Sequence, residues 1–185
     1  MSAAGVVLLG APGAGSSSVG AALVRSTGGV LLDVVDDAAR ALGTTPELAL
    51  VAVPEERYRD ALVGVALTAI GRAAADGAVV ALGSGCLGDR RVQDALRHAV
   101  AAGVNLIHLT ATPRRLATRN GLDAPRSVAL GNVHQAFAQM LREREEECAR
   151  VGAVVVDTTD TTPAQAAAAV LRLVGLDPAT GGAIG

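Results

Sequence analysis

The sequence predicts an α/β domain, a five-stranded parallel sheet with helices on both faces in three layers. Short β-branched runs at residues 6–9, 30–32, 79–82, 106–109 and 154–156 alternate with longer helical patterns. The runs are almost continuously apolar, as strands covered on both sides must be. A glycine-rich segment joins the first run to the first helical pattern, a strand–loop–helix order with its own meaning. Helical spacing or helix-forming composition follows at residues 17–26, 38–42, 54–74, 89–102, 114–119, 133–151 and 164–174. Residues 1–175 form one expected domain, since the chain is 50% hydrophobic and has no long polar tract. Residues 120–132 hold Gly121, Pro125 and Gly131, break the helical pattern and read as a functional loop or lid. Residues 176–185 have little to bury and read as a flexible tail.

Composition excludes several functions. Tyr58 and Phe137 are the only aromatic residues, so bases have almost nothing to stack on, and a formal net charge of −2 gives no basic field for duplex nucleic acid. A nucleic-acid partner is not expected. No apolar stretch is long and uncharged enough to span a bilayer: even residues 164–174 contain Gln165 and Arg172. Cys86 and Cys148 have neither metal-ligand spacing nor a secreted disulfide pattern. No basic n-region precedes the first apolar run, and a cytoplasmic protein is expected.

The chemistry-bearing motif is Gly10-Ala11-Pro12-Gly13-Ala14-Gly15-Ser16-Ser17-Ser18. Its context is that of a Walker A loop, in which backbone N–H groups and a helix N-terminus hold phosphates. Ser16 stands where that motif has lysine. The lysine ammonium neutralises charge building on the β- and γ-phosphates during transfer, so its loss bears on chemistry more than on folding. No other lysine can substitute, because all 16 basic residues are arginine. Ser17 falls at the magnesium-binding hydroxyl, or a serine of this run caps the helix.

Over roughly residues 5–175 the order of motifs resembles the shikimate kinase family, a branch of the P-loop kinases. The phosphate loop is followed by Leu31-Leu32-Asp33, by Glu55-Glu56-Arg57-Tyr58-Arg59 and by Val80-Ala81-Leu82-Gly83-Ser84-Gly85, with Arg126 in the lid segment. The resemblance implies strand order 2-3-1-4-5. It implies that Gly10, Gly13, Ala14, Gly15, Ser16, Ser17 and Ser18 border ATP or ADP, and that Ser17 and Asp33 serve Mg2+. Arg59, Gly83, Ser84 and Gly85 match the family's substrate-binding positions, and Arg126 matches the lid arginine that reaches the transferred phosphate. With Asp33, Arg126 is thus a candidate catalytic residue. Each reading has a plainer counterpart: Asp33 as a turn or cap, and Arg59 as the partner of Glu55 or Glu56 on a solvated helix face.

Four departures converge on the implied site. Besides Ser16, Val35 replaces a family carboxylate that holds substrate hydroxyls, Ser84 crowds a glycine triplet, and counting back from the last strand puts Val133 where a second carboxylate-gripping arginine belongs. The loop Asp157-Thr158-Thr159-Asp160-Thr161-Thr162-Pro163 is acidic where the family's adenine side is basic. Arg114, Arg115 and Arg119 read as a solvated face, as does Glu143-Arg144-Glu145-Glu146-Glu147. The expectation is a degenerate, catalytically impaired kinase relative acting as a ligand-sensing or partner-binding protein in aromatic amino-acid biosynthesis. A paralogous kinase or another enzyme of that pathway is the expected partner, with a small carboxylate as ligand. Its cofactors are ATP or ADP with Mg2+ where nucleotide binding is retained, and otherwise none. The alternative is an active kinase in which an arginine replaces the lysine and the acceptor is shikimate or a similar small hydroxylated acid.

Overall fold

The computed structural model describes residues 4–82, 84–122 and 130–175. Five strands, β1 (Val6–Gly10), β2 (Leu31–Asp33), β3 (Val79–Ala81), β4 (Asn105–Thr110) and β5 (Val154–Asp157), form one sheet in the order β2-β3-β1-β4-β5. Every pairing is parallel, with Val6 opposite Val79 and Asn105, and Ile107 opposite Val154. The expected fold class and strand order are therefore observed.

The helices are α1 (Ser16–Thr27), α2 (Val34–Ala41), α3 (Pro46–Ala52), α4 (Glu55–Asp76), α5 (Arg90–Ala101), α6 (Pro113–Arg119), α7 (Leu130–Arg150) and α8 (Pro163–Leu173). Successive side chains of β1 alternate between two cores, because strand side chains have period two. Val7 and Leu9 enter a core with Val34, Ile70, Leu96 and Cys148, so α2, α4, α5 and α7 cover that face. Val6 and Leu8 enter the other with Val19, Leu23, Leu116 and Val170, from α1, α6 and α8. Among the described residues no helix is long and apolar enough to cross a membrane.

Two helices differ from expectation for local reasons. The α2 helix starts at Val34 rather than residue 38, because the Asp33 carboxylate accepts hydrogen bonds from the N–H groups of Val35 and Asp36. Asp36 and Asp37 then fall in its first turn, where the helix dipole favours negative charge. The α3 helix is too short for a periodic signal and begins at a proline after Gly43-Thr44-Thr45, a segment that reads as a turn. At the sheet edge, where β5 pairs with β4 alone among the described residues, Val154 and Val155 are 50% and 59% exposed.

The α8 helix braces α1, burying Ala166, Ala167, Val170 and Leu171. Its N-terminus is closed by a capping box: the Thr162 hydroxyl accepts from Gln165 N–H while the Gln165 side chain accepts from Thr162 N–H. Thr162→Ala is expected to cost about 1 kcal/mol, read as a lower urea midpoint with unchanged denaturant slope.

Candidate functional site

The loop after β1 needs glycine for two different reasons. A Cβ on Gly10 would lie 2.7 Å from the Leu109 carbonyl oxygen of β4, so the close approach admits no side chain. Gly13 and Gly15 have φ of 82° and 99°, in the left-handed region that L side chains disfavour. Gly15 is also the N-cap of α1, and no side chain caps that helix. The serine run is thus not a cap. Among the described residues no hydrogen bond engages the hydroxyls of Ser16, Ser17 and Ser18, which border a cleft of 290 Å³ with Gly13, Asp33 and Val35.

Asp33 serves two ends at once. Its Oδ1 caps α2, Oδ2 makes no hydrogen bond among the described residues, and the residue lines the cleft that Ser17 also lines. A hard cation that keeps most of its water fits such a pair of oxygen donors. Val35, from the first turn of α2, brings an apolar surface to the same cleft. Among the described residues no arginine lines it.

The phosphate loop is held from outside by three side chains. Asn120 Nδ2 donates to the Pro12 carbonyl at 2.9 Å, Arg119 Nη1 to the Gly13 carbonyl at 3.0 Å, and the Thr158 hydroxyl to the Ala14 carbonyl at 3.1 Å. Arg119 also donates to the Thr158 carbonyl at 2.7 Å, tying the end of α6 to the loop after β5. Arg115 donates to the Thr159 carbonyl and to Asp160. Arg115 and Arg119 lie on an exposed face, as expected, and in addition both bind neighbouring loops. The cause lies in tertiary approach, and no periodicity in the sequence signals it. Arg119, Thr158, Gly13, Ala14 and Ser18 line a second cleft of 320 Å³, beside the first.

The substrate-side candidates are only partly gathered. Arg59 is not among the cleft-lining residues; its Nη2 donates to Glu55 at 2.6 Å, with the two side chains 60% and 85% exposed. This is the plainer reading of Arg59, an i,i+4 pair on a solvated face. Gly85 lies in a short 3-10 turn, Ser84–Cys86, just beyond the cleft-lining Ala81 and Leu82. Gly83, Arg126, most of the lid segment and the tail after residue 175 lie outside the described residues.

Arg144 was missed by sequence reasoning. The α7 helix puts Val133 in its first turn and Arg144 near its other end, half-buried and close enough to act on the Cys86 thiol of that 3-10 turn. A guanidinium beside the turn that follows β3 is thus supplied by Arg144, eleven residues beyond Val133. A signal existed: Leu141, Arg144, Cys148 and Val151 fall at i, i+3, i+7 and i+10, on the buried stripe of the helix. Glu147 leaves the solvated face as well, since it pairs with Arg144 at 2.6 Å.

Burial governs the remaining titratable groups here. The Cys86 and Cys148 thiols are both pushed up to about 12 by desolvation, so they are small core residues rather than nucleophiles. His108 of β4 is 6% exposed, and burial lowers its pKa from 6.5 against a weaker opposing pull from Glu145.

A parallel sheet of this order, with a glycine loop entering a helix at the end of its central strand, defines a P-loop kinase-like protein. Solved structures agree: a shikimate kinase from Acinetobacter baumannii in complex with shikimate superposes with a TM-score of 0.75 at 19% identity, over 92% of each chain. A gluconokinase from Sinorhizobium meliloti gives 0.58 at 20% identity, over 95% of this chain and 96% of that one. The family model for shikimate kinase matches residues 12–174. A shikimate kinase of Thermobifida fusca is 33% identical over 166 residues, 90% of this chain and 92% of that relative. One of Frankia casuarinae is 35% identical over 159 residues, 85% of this chain and 67% of that relative. The chain belongs to the shikimate kinase family.

Two outcomes test this geometry. Arg119→Met keeps the apolar stem but removes the contacts to Gly13 and Thr158; it is expected to lower stability by about 1–2 kcal/mol and to weaken ADP binding, read by urea unfolding and titration. For His108, the unfolded chain takes up a proton as pH falls through about 6.5, while the buried ring takes it up only at lower pH. Stability is therefore full above that value and declines as pH drops through the folded pKa. His108→Phe is expected to flatten this part of the stability–pH curve.

Proposed function

We propose that this chain is a shikimate-kinase-like protein that keeps the phosphate cradle but transfers phosphate poorly or not at all, and works as a ligand-sensing or partner-binding protein tied to aromatic amino-acid biosynthesis. One observation carries the reading: Ser16 stands at the head of α1 where the transferring phosphate needs a cation, and no arginine lines the cleft among the described residues. Arg119, the guanidinium that touches the loop, is engaged by Gly13 and Thr158. Three of its hydrogen bonds therefore go to the protein itself.

What each residue would do follows from its position. The N–H groups of Gly13, Gly15 and the first turn of α1 hold an anion, ATP or ADP phosphates by family. Ser17 and Asp33 hold Mg2+, which supplies charge neutralisation on the phosphate oxygens. Arg144, and Arg59 once released from Glu55, offer guanidinium groups to a carboxylate. Val35 cannot orient a hydroxyl by hydrogen bonding. Loss of one charge-assisted contact costs about 1.5–3 kcal/mol in a ground state. Each ~1.4 kcal/mol lost only in the transition state slows transfer tenfold. Binding thus survives a change that chemistry does not. A paralogous kinase or another enzyme of the same pathway is the proposed protein partner.

A second reading has support in the 33% identity to a shikimate kinase across 90% of the chain. In it Arg126 of the lid supplies the missing charge and the protein is an active kinase. Phosphate transfer from Mg·ATP to shikimate at high enzyme concentration separates the two, with Ser16→Lys run in parallel. No turnover by the natural chain and a gain in Ser16→Lys are expected. Clear turnover by the natural chain would overturn the impaired-kinase reading.

A further inference from the structure

Arg144 and Glu147 differ from the other ion pairs of the structure. Their side chains are 19% and 15% exposed, and among the described residues no other ion pair has both partners below 20%. Arg144 Nη1 donates to Glu147 Oε2 at 2.6 Å, whereas its Nε–H is buried with no hydrogen-bond partner among the described residues. A guanidinium carries five N–H donors in a fork that suits two parallel bonds to a carboxylate. Here the fork is only partly used.

Its surroundings are those of a ligand site. Arg144 lines a cavity of 110 Å³ between β4, α6 and α7, shared with Ala11 of the phosphate loop, Thr110, Glu145 and His108. The His108 ring, 94% buried by its 6% exposure, has no hydrogen-bond partner among the described residues either. One buried donor without a partner, the Arg144 Nε–H, thus belongs to a side chain that lines a small space beside the phosphate loop, and leaving such a group unpaired is costly. On its other side Glu147 lies against the turn that follows β3: a Cβ on Gly88 would come within 3.3 Å of its Oε1. The Glu147 carboxylate therefore occupies a guanidinium placed between the phosphate loop and the substrate-side turn.

We infer that Glu147 is an internal carboxylate that competes with a ligand's carboxylate for Arg144, and that it sets the affinity of this site for small hydroxylated acids. A ligand acid must displace or share the Arg144 contact, and it meets the negative charges of Glu147 and Glu145 on the way. Removing the charge at Glu147 while keeping an acceptor oxygen leaves Arg144 supported and open to a second carboxylate. The inference rests on the proposed reading of the site as a carboxylate-binding relative of the shikimate kinases.

The test is direct titration of shikimate, without nucleotide, into the natural chain, Glu147→Gln and the double variant Glu147→Gln/Arg144→Met. Glu147→Gln is expected to bind about tenfold more tightly, the double variant to lose that gain, and shikimate methyl ester, which has no carboxylate charge, to show none. Glu147→Asp, which keeps the charge on a shorter stem, gives a smaller gain and guards against a folding defect in the glutamine variant. Equal or weaker binding by Glu147→Gln, a gain that survives loss of Arg144, or no shikimate binding by any of these proteins would overturn the inference. None of these readings depends on phosphate transfer, so failure here is distinct from failure of the impaired-kinase reading.

Discussion

The site depends on how the carbonyl groups of the phosphate loop are held. In a trans peptide the C=O of one residue and the N–H of the next point in opposite directions. Fixing the Pro12 and Ala14 carbonyls outward, on Asn120 and Thr158, therefore turns the N–H groups of Gly13 and Gly15 the other way. The Ala14 N–H closes the loop on the Ala11 carbonyl at 3.0 Å, and Arg119 secures the carbonyl between them. This arrangement makes an anion cradle from backbone alone. These contacts involve no lysine, so the loop keeps its shape with Ser16 at the position that a Walker A motif gives to lysine.

The same contacts link the cradle to its neighbours. Asn120 closes α6 and begins the segment that sequence reads as a lid, while Thr158 begins the loop leading to α8. The phosphate loop is thus tied both to the end of α6 and to the loop after β5. Two arginines outside these contacts, Arg59 and Arg144, are each bonded to a glutamate of their own helix. Arg59's pair is solvated and contributes little, about 0.3–0.5 kcal/mol for a surface i,i+4 contact. Arg144's pair is withdrawn from water, so exchanging its partner is the larger event.

Much of the fold was legible because its signals are local and repeated. Apolar runs such as Val6-Val7-Leu8-Leu9 announce buried strands, glycines at 10, 13 and 15 announce the loop, and every expected strand and helix has its counterpart. The short α3 was missed, and β5 was read as covered although its edge position leaves Val154 and Val155 exposed. Of the site, the phosphate loop, Asp33 and Val35 were readable and do meet in one cleft. Arg119, Asn120 and Thr158 were not readable, because their partners lie 106, 108 and 144 residues away and no spacing encodes such contacts. Arg144 was hidden for another reason: an arginine in an acidic run reads as solvated unless the buried stripe of its helix is traced first.

The central claim is that the cradle binds phosphate without a cation able to single out the γ-phosphate. Comparing the affinities of ATP and ADP, each with Mg2+, tests it most directly. A lysine or its substitute bridging the β- and γ-phosphates favours ATP, because one charge-assisted contact corresponds to roughly 10- to 100-fold in affinity. The account expects ATP and ADP to bind weakly and within about threefold of one another. Binding of ATP at least about tenfold tighter than ADP would contradict it, for a cation would then be reaching the γ-phosphate.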